Sequence, residues 1–286
     1  QVNPTPPEEA ASKLAEIGAD AAPSLAAALD DPSPMVRRAA VLALARLGPG
    51  AAAAVPHLVK LIEKSCYDTS QSADPAGGQK AEAAEHPDGE LCAEAVEALG
   101  AVGAHAKPAV GLLLKCLSGR KGDPYKVRFA AARALGAIGP AAAPEAVSAL
   151  ADALAKEPDW NLASAICDAL ACMGKDAAPA LPAILGALRR EQCRVSACLA
   201  LRSLGPLAAQ AEPELRAMIK GYGILDRRDL PFRIAAALAL AAFNPPPDMP
   251  YAQRTGLVLG RCVASFVDHR VPANESPLPG TVVYFL

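Results

Sequence analysis

The feature that most constrains this chain is a repeated unit that ends in glycine. Residues 31–48 read DPSPMVRRAAVLALARLG, and an altered copy at 123–139 reads DPYKVRFAAARALGAIG. Terminal glycines stand at 18, 48, 103, 139, 174 and 205, so four of the five intervals are 30 to 36 residues long. A period of about 20–50 residues is the signature of a solenoid, in which each repeat packs only on its neighbours.

Each period is predicted to form two helices. A proline follows each glycine and opens an apolar run, as a first-turn proline does in helices. A second helix then runs to the next glycine, which suits a positive φ at the helix end. Apolar or small residues recur in this second helix at eight, four and one positions before the glycine, as at Ala131, Leu135 and Ile138. These spacings place them on one buried helical face.

The unit resembles the HEAT-repeat family, in its short, alanine-rich form also found in bilin lyases. The most specific part is the Val-Arg pair followed by AAxxALxxLG, at Val36-Arg37 and Val127-Arg128. The resemblance covers roughly residues 8–244 and implies an all-α fold. That fold is a right-handed α-solenoid of about six helix pairs, with capping helices, an extended C-terminal tail and a curved inner surface formed by the second helices.

Composition divides the chain into four parts. Residues 1–7 are a proline-rich arm that we expect not to be helical, and 8–244 form the solenoid, with an acidic insertion at 65–90 that reads as a solvated loop. After a proline-rich break at 244–250, residues 251–267 can form a capping helix, which belongs to the segment 245–270. Residues 271–286 form an extended tail. The apolar end of that tail suggests an arm that joins copies of the chain, through Val282, Val283, Tyr284 and Phe285.

Charge and apolar runs exclude several classes of function. The net charge of −2 gives no electrostatic support to nucleic-acid binding. We expect no membrane span, because no apolar run reaches the ~20 residues that one requires. The chain begins at Gln1, which favours a cleaved signal peptide and a secreted or periplasmic location over a cytoplasmic one.

Motifs of catalysis and of cofactor binding are missing from the sequence. It contains no CxxC, CxxCH, GxSxG or P-loop pattern, so we expect no catalytic residues, no metal and no cofactor. The cysteines leave two interpretations open. Cys167 with Cys198, and Cys66 with Cys116, hold equivalent positions in neighbouring repeats and could form disulfides, whereas buried thiols are the ordinary alternative.

Two sets of side chains are candidates for the functional surface. Arginines eleven positions before the terminal glycine form a ladder along the stack: Arg37, Arg128, Arg194 and Arg233. The ladder either binds anions or, as the family resemblance implies, ties repeats together by pairing with loop acids such as Asp31 and Asp123. Positions ten, seven, six, three and two before the glycine are predicted to face outward on the second helices: Arg38, Val41, Arg46, Phe129, Arg133, Asp168, Val195 and Arg202.

The first hypothesis for function is therefore a non-enzymatic scaffold that binds a protein partner on the concave face. An alternative is a structural subunit whose terminal arms join protomers into a homopolymer. Such a self-assembling filament or layer could lie outside the cell. A second alternative is a lyase-like accessory protein. The partner is in each case another protein chain or a second copy of this one.

Overall fold

The computed structural model of this chain describes residues 7–67, 89–119, 125–221 and 230–243. These residues are 93% helical and contain no strand. The expected capping helix at 245–270, the tail at 271–286 and most of the insertion lie outside the described residues. The same holds for the proposed assembly residues Val282, Val283, Tyr284 and Phe285.

Thirteen α-helices form the described part of the chain. In order they are α1 (Pro7–Glu16), α2 (Ala22–Ala28), α3 (Pro34–Leu47), α4 (Val55–Tyr67), α5 (Gly89–Val102), α6 (Val110–Ser118), α7 (Tyr125–Ile138), α8 (Ala143–Lys156), α9 (Trp160–Met173), α10 (Leu181–Leu188), α11 (Arg194–Leu204), α12 (Glu212–Gly221) and α13 (Leu230–Phe243). The helix α1 already begins at Pro7, which was expected to belong to a non-helical arm. A proline fits there because the first N–H of a helix has no partner.

The helices build an all-α solenoid of six pairs, α2–α3 to α12–α13, in the described residues. The second helices pack side by side in sequence order, so that α7 lies between α5 and α9 and α9 lies between α7 and α11. The helix α1 packs on α3 as a half-repeat at the N-terminal end. The first helices form the other layer, where α8 contacts α6 and α10.

The predicted core positions are confirmed. The leucines four positions before the terminal glycine are inaccessible to solvent at Leu44, Leu99, Leu135, Leu170 and Leu201. Two predicted core residues of the outer copies are less enclosed. Leu47, one position before Gly48, and Leu240, four positions before the end of the last copy, are partly buried against the core. Alanine dominates the remaining core, which lets the helix layers approach closely.

The terminal glycines have the positive φ that the sequence predicts. Gly48 has φ 56° and ψ −128°, and Gly174 has φ 63° and ψ −135°. These angles lie outside the left-handed helical region and in a region open essentially to glycine alone. A short 3-10 turn follows each of them, over Gly48–Ala54 and Gly174–Ala180, and redirects the chain into the next first helix.

One helical stretch, Pro34–Ser65, is long and apolar enough to cross a membrane by length and composition. It consists of α3 and α4, which the 3-10 turn at Gly48 separates. The two helices contribute Leu44, Leu58 and Ile62 to the solenoid core, where these side chains are inaccessible to solvent. Core helices of a folded protein pass the same test of length and apolarity, so the stretch is accounted for by the fold.

Candidate functional site

A groove between α7 and α9 is the candidate site. Its volume is about 490 Å³, and we name it the α7–α9 groove. Its lining comes from two consecutive second helices: Phe129, Arg133, Gly136 and Ala137 on α7, and Asn161, Ser164, Ala165, Asp168, Ala169 and Cys172 on α9. Three residues predicted for partner binding, Phe129, Arg133 and Asp168, therefore meet in one concavity.

The floor of the groove is made by small residues. An added Cβ at Gly136 would lie 2.9 Å from the Cα of Ala169, so α7 and α9 touch backbone to backbone there. The same contact occurs one repeat earlier, where a Cβ at Gly100 would lie 2.9 Å from the Cα of Ala134. Close approach of the helices leaves the larger side chains to form the walls.

Tyr125 and Phe129 stack at one end of the groove, and Trp160 opens α9 beside the lining residue Asn161, in a chain with only 4% aromatic residues. We name Tyr125, Phe129 and Trp160 the aromatic rim. The rings of Tyr125 and Phe129 stack with centroids 6.1 Å apart, while Tyr125 is 43% and Trp160 50% exposed. Large exposed aromatic side chains are typical of the centres of protein interfaces.

Asp159 fixes the aromatic rim in place. Its carboxylate accepts a hydrogen bond from the Leu162 N–H at 2.9 Å, which caps α9, and another from the Tyr125 hydroxyl at 3.0 Å. The backbone hydrogen bond from Leu162 is the main reason that the pKa of Asp159 is lowered. Burial, and then the bond to Asp159, raise the pKa of Tyr125 to about 12. The rim is therefore tied across the boundary between two repeats.

Ion pairs join the second helices on the N-terminal side of the groove. The Arg38 guanidinium lies 2.7 Å from the Glu94 carboxylate, Lys126 lies 3.6 Å from Glu90, and Arg133 lies 3.7 Å from Glu97. The hydrogen bond to Glu94 raises the pKa of Arg38. Each carboxylate of α5 on this face is thus matched by a cation of a neighbouring helix.

The other predicted surface residues lie elsewhere. Arg46 donates a hydrogen bond to the Glu8 carbonyl at 2.6 Å, which links α3 to α1, and Val195 is exposed and Arg202 half-buried on α11. The prediction for Val41 was wrong, because its side chain is inaccessible to solvent. Position seven faces the neighbouring second helix, as the buried Cys167 and Cys198 also show, and the exposed row follows positions ten, six and two.

The arginine ladder has several kinds of partner. Arg37 donates to the backbone carbonyls of Asp31 and Pro32 at 3.0 and 3.1 Å, rather than to the Asp31 carboxylate. Arg194 lies over the Phe232 ring, 5.6 Å from its centroid. Arg233 is half-buried, and Asp123 lies outside the described residues.

Arg128 joins its repeat to a buried carboxylate of the next one. It donates to Glu157, the next repeat's buried carboxylate, and to the Leu117 carbonyl at 3.2 Å. Glu157 is only 4% exposed and is the one buried charged residue in the described ranges. Its other oxygen accepts from the Asp159 N–H at 3.1 Å, so this junction also holds the segment that carries the rim.

The structure resolves part of the cysteine question. Cys116 and Cys167 are buried thiols, as is Cys198, so the disulfide interpretation was wrong for Cys167 with Cys198 and for Cys116. Burial raises the pKa of Cys198 to about 12 and raises that of Cys167 strongly. Cys92 is disulfide-bonded instead, and the Cys66 side chain lies outside the described part. Cys172, in the groove, is an exposed thiol.

Sequence reasoning missed Tyr125 and Trp160. Both stand fourteen positions before a terminal glycine, and this shared register in an aromatic-poor chain was the available signal. Within the described ranges, no group of three or more histidine, cysteine, aspartate or glutamate side chains is arranged to hold a metal ion.

Asp168 lies in the groove under unusual electrostatic conditions. The Asp168 side chain is exposed, yet partial loss of water around its carboxyl raises its pKa, and the nearby Ser196 acts in the opposite direction. A raised folded-state pKa means that the carboxyl's contribution to stability is complete below its unfolded pKa and is lost as the pH rises through the folded value. At neutral pH this carboxylate therefore does not stabilise the fold.

The substitution Asp168→Asn is consequently expected to leave the Tm at pH 7.5 unchanged or slightly raised. At pH 4 the wild-type side chain takes up its proton, so the difference between the two proteins should shrink. Thermal unfolding followed by circular dichroism at both pH values measures this. A Tm for Asp168→Asn clearly below that of the wild type at pH 7.5 would contradict the assignment.

Comparison with known proteins agrees with this geometry. The family described as HEAT repeats matches residues 3–73 and 80–171, more than half of the chain. No curated protein matches with significant similarity.

Three structures show a similar fold. An engineered protein of the Northeast Structural Genomics Consortium is 20% identical, with a TM-score of 0.53 over 78% of this chain and 96% of that one. A designed armadillo repeat protein in complex with the peptide (KR)4 is 17% identical, with a TM-score of 0.52 over 78% and 99%. A homology model of the AP-3 complex is 15% identical, with a TM-score of 0.56 over 92% and 50%.

Proposed function

Because the chain belongs to the HEAT-repeat family, we propose that it is a non-enzymatic scaffold that binds a protein partner in the α7–α9 groove. The observation that carries the proposal is the groove itself, with the aromatic rim at its end. Repeat solenoids of this kind commonly present a preformed surface, which binds an extended segment or a helix at little cost in ordering.

The groove has the chemical character of an interaction site. Phe129 and the alanines of the floor offer apolar area, while Asn161, Ser164 and Asp168 offer polar groups along one wall. A volume of about 490 Å³ accommodates a few side chains of a partner rather than a folded domain. The proposed ligand is therefore a segment of a protein, anchored by side chains that enter the groove.

The substitution Phe129→Ala tests the proposal. Removing an aromatic anchor from the centre of an interface costs about 2 kcal/mol or more, so at least tenfold less partner should be retained. The measurement is quantitative affinity capture from the organism's own extract with immobilised wild-type protein and variants. Leu207→Ala is the matched control, because Leu207 is 53% exposed and outside the groove lining, and it should capture the partner normally.

Cys172 allows an independent test without loss of any core contact. A bulky maleimide on this exposed groove thiol should block the partner, and the Cys172→Ser protein treated with the same reagent should bind normally. Equal retention by wild type, Phe129→Ala and the labelled protein would show that the partner binds elsewhere.

A further inference from the structure

Most carboxylates on the exposed face of the second helices form ion pairs with a neighbouring helix, but Asp168 does not. The carboxylates of Glu90, Glu94 and Glu97 on α5 each lie within 4 Å of a cation of a neighbouring helix. Asp168, an exposed side chain of α9, forms no such ion pair within the described ranges. It is the carboxylate of the groove lining, and the cation of that lining, Arg133, lies 3.7 Å from Glu97 instead.

The surroundings of Asp168 make a cation especially favourable. The groove floor beside it consists of Ala165 and Ala169, both buried, and Phe129 lines the same groove from α7. Apolar surface beside the exposed Asp168 carboxylate strengthens the attraction of that carboxylate for an opposite charge.

Lysine and arginine side chains match both parts of the groove. Each joins an apolar stem to a cationic end, so the stem can lie along Phe129 while the charge reaches Asp168. An aromatic face beside the cation adds a favourable electrostatic contact. An acidic peptide or a nucleic-acid phosphate would instead bring negative charge toward the Asp168 carboxylate.

We infer that the α7–α9 groove selects a partner segment that places a lysine or arginine on Asp168, next to an apolar residue packed on Phe129. The inference rests on the proposed function, because it assigns the chemistry of the segment bound in the same groove. Asp168 is thereby a specificity-determining residue, and Arg133, whose charge is already matched by Glu97 at 3.7 Å, is not.

Three fluorescein-labelled peptides of equal length test this inference. They are repeats of Gly-Leu-Arg, Gly-Leu-Gln and Gly-Leu-Glu, and their affinities for the 286-residue chain are measured by fluorescence anisotropy. We expect the arginine probe to bind the wild type at least tenfold more tightly than the glutamine probe, as a charge-assisted hydrogen bond implies. The glutamate probe should bind least.

Asp168→Asn should reduce the preference for arginine over glutamine to within about twofold, since the charge is lost while the shape is kept. Asp152→Asn is the matched control, because Asp152 is an exposed carboxylate on α8 and outside the groove lining, and it should keep the wild-type preference. An added readout is salt dependence, which should be steeper for the wild type than for Asp168→Asn.

The inference is overturned if the wild type binds the glutamine or glutamate probe as tightly as the arginine probe. It is also overturned if Asp168→Asn keeps the preference, if Asp152→Asn loses it equally, or if none of the probes binds at millimolar concentration. The proposed function fails separately, when Phe129→Ala captures the natural partner as well as the wild type does. If Phe129→Ala loses the partner but the wild type shows no preference for the arginine probe, the groove is retained as the binding site and the inference of a cationic side chain on Asp168 is rejected.

Discussion

Arg128→Ala is expected to lower the free energy of unfolding by about 3 kcal/mol, because it leaves the Glu157 carboxylate without its cation. Glu157 is 4% exposed and Arg128 28%, so water cannot replace the lost partner well. For a chain of this size the loss corresponds to a fall in Tm of roughly 6–10 °C. Differential scanning calorimetry at neutral pH and moderate salt measures it.

Two further variants identify the cause of the loss. Arg133→Ala removes an arginine from the same helix, but its pair with Glu97 is 63% and 53% exposed, and we expect a change below about 0.5 kcal/mol. Adding Glu157→Gln to Arg128→Ala removes the buried charge and should recover part of the stability. If Arg128→Ala proves as mild as Arg133→Ala, the junction with Glu157 is not a stabilising contact.

Gly136→Ala is expected to destabilise the protein by about 1–2 kcal/mol and to deform the α7–α9 groove. The new methyl group would meet the Ala169 Cα at 2.9 Å, and a backbone atom cannot turn away as a side chain can. Overpacking typically costs about 1–3 kcal/mol, of which the better helix propensity of alanine returns up to about 1 kcal/mol. The change in Tm and the affinity for the partner report the two effects.

Gly111→Ala gives the opposite expectation and serves as the control. Gly111 also lies inside a helix, α6, yet an added Cβ there meets no atom within 4 Å. Helix propensity then acts alone and should stabilise the protein by up to about 1 kcal/mol. If both glycine variants shift the Tm in the same direction, the contact between α7 and α9 is looser than the structure indicates.

The repeat pattern predicts the fold because packing in a solenoid is periodic. Leu135 and Ile138 are buried for the same reason in each copy, and the glycines must adopt a backbone that other residues resist. The sequence therefore determines which residues form the core and where each helix ends. The same periodicity led to the error at Val41, since a helix packed on both sides buries a wider part of its surface than an amphipathic pattern suggests.

The groove was only partly predictable. Phe129, Arg133 and Asp168 were identified from their register, but a register does not give the distance between two helices. Gly136 lets α7 meet α9 at Ala169, and Tyr125 and Trp160 open these two helices at the same register. The partner of Glu157 was equally hidden: Arg128 was predicted to tie repeats together through loop acids such as Asp123, and the buried carboxylate that it reaches in the next repeat was not identified.

Contact between successive second helices has an evolutionary consequence. The lining of the groove comes entirely from α7 and α9, and α7 is joined to the preceding repeat by the pairs of Lys126 with Glu90 and of Arg133 with Glu97. Under the proposed function, whole repeats can be duplicated or deleted on either side of these two helices while the groove between them is kept. Change in partner choice then requires only exchange of a few outward side chains, with no redesign of the architecture that carries them.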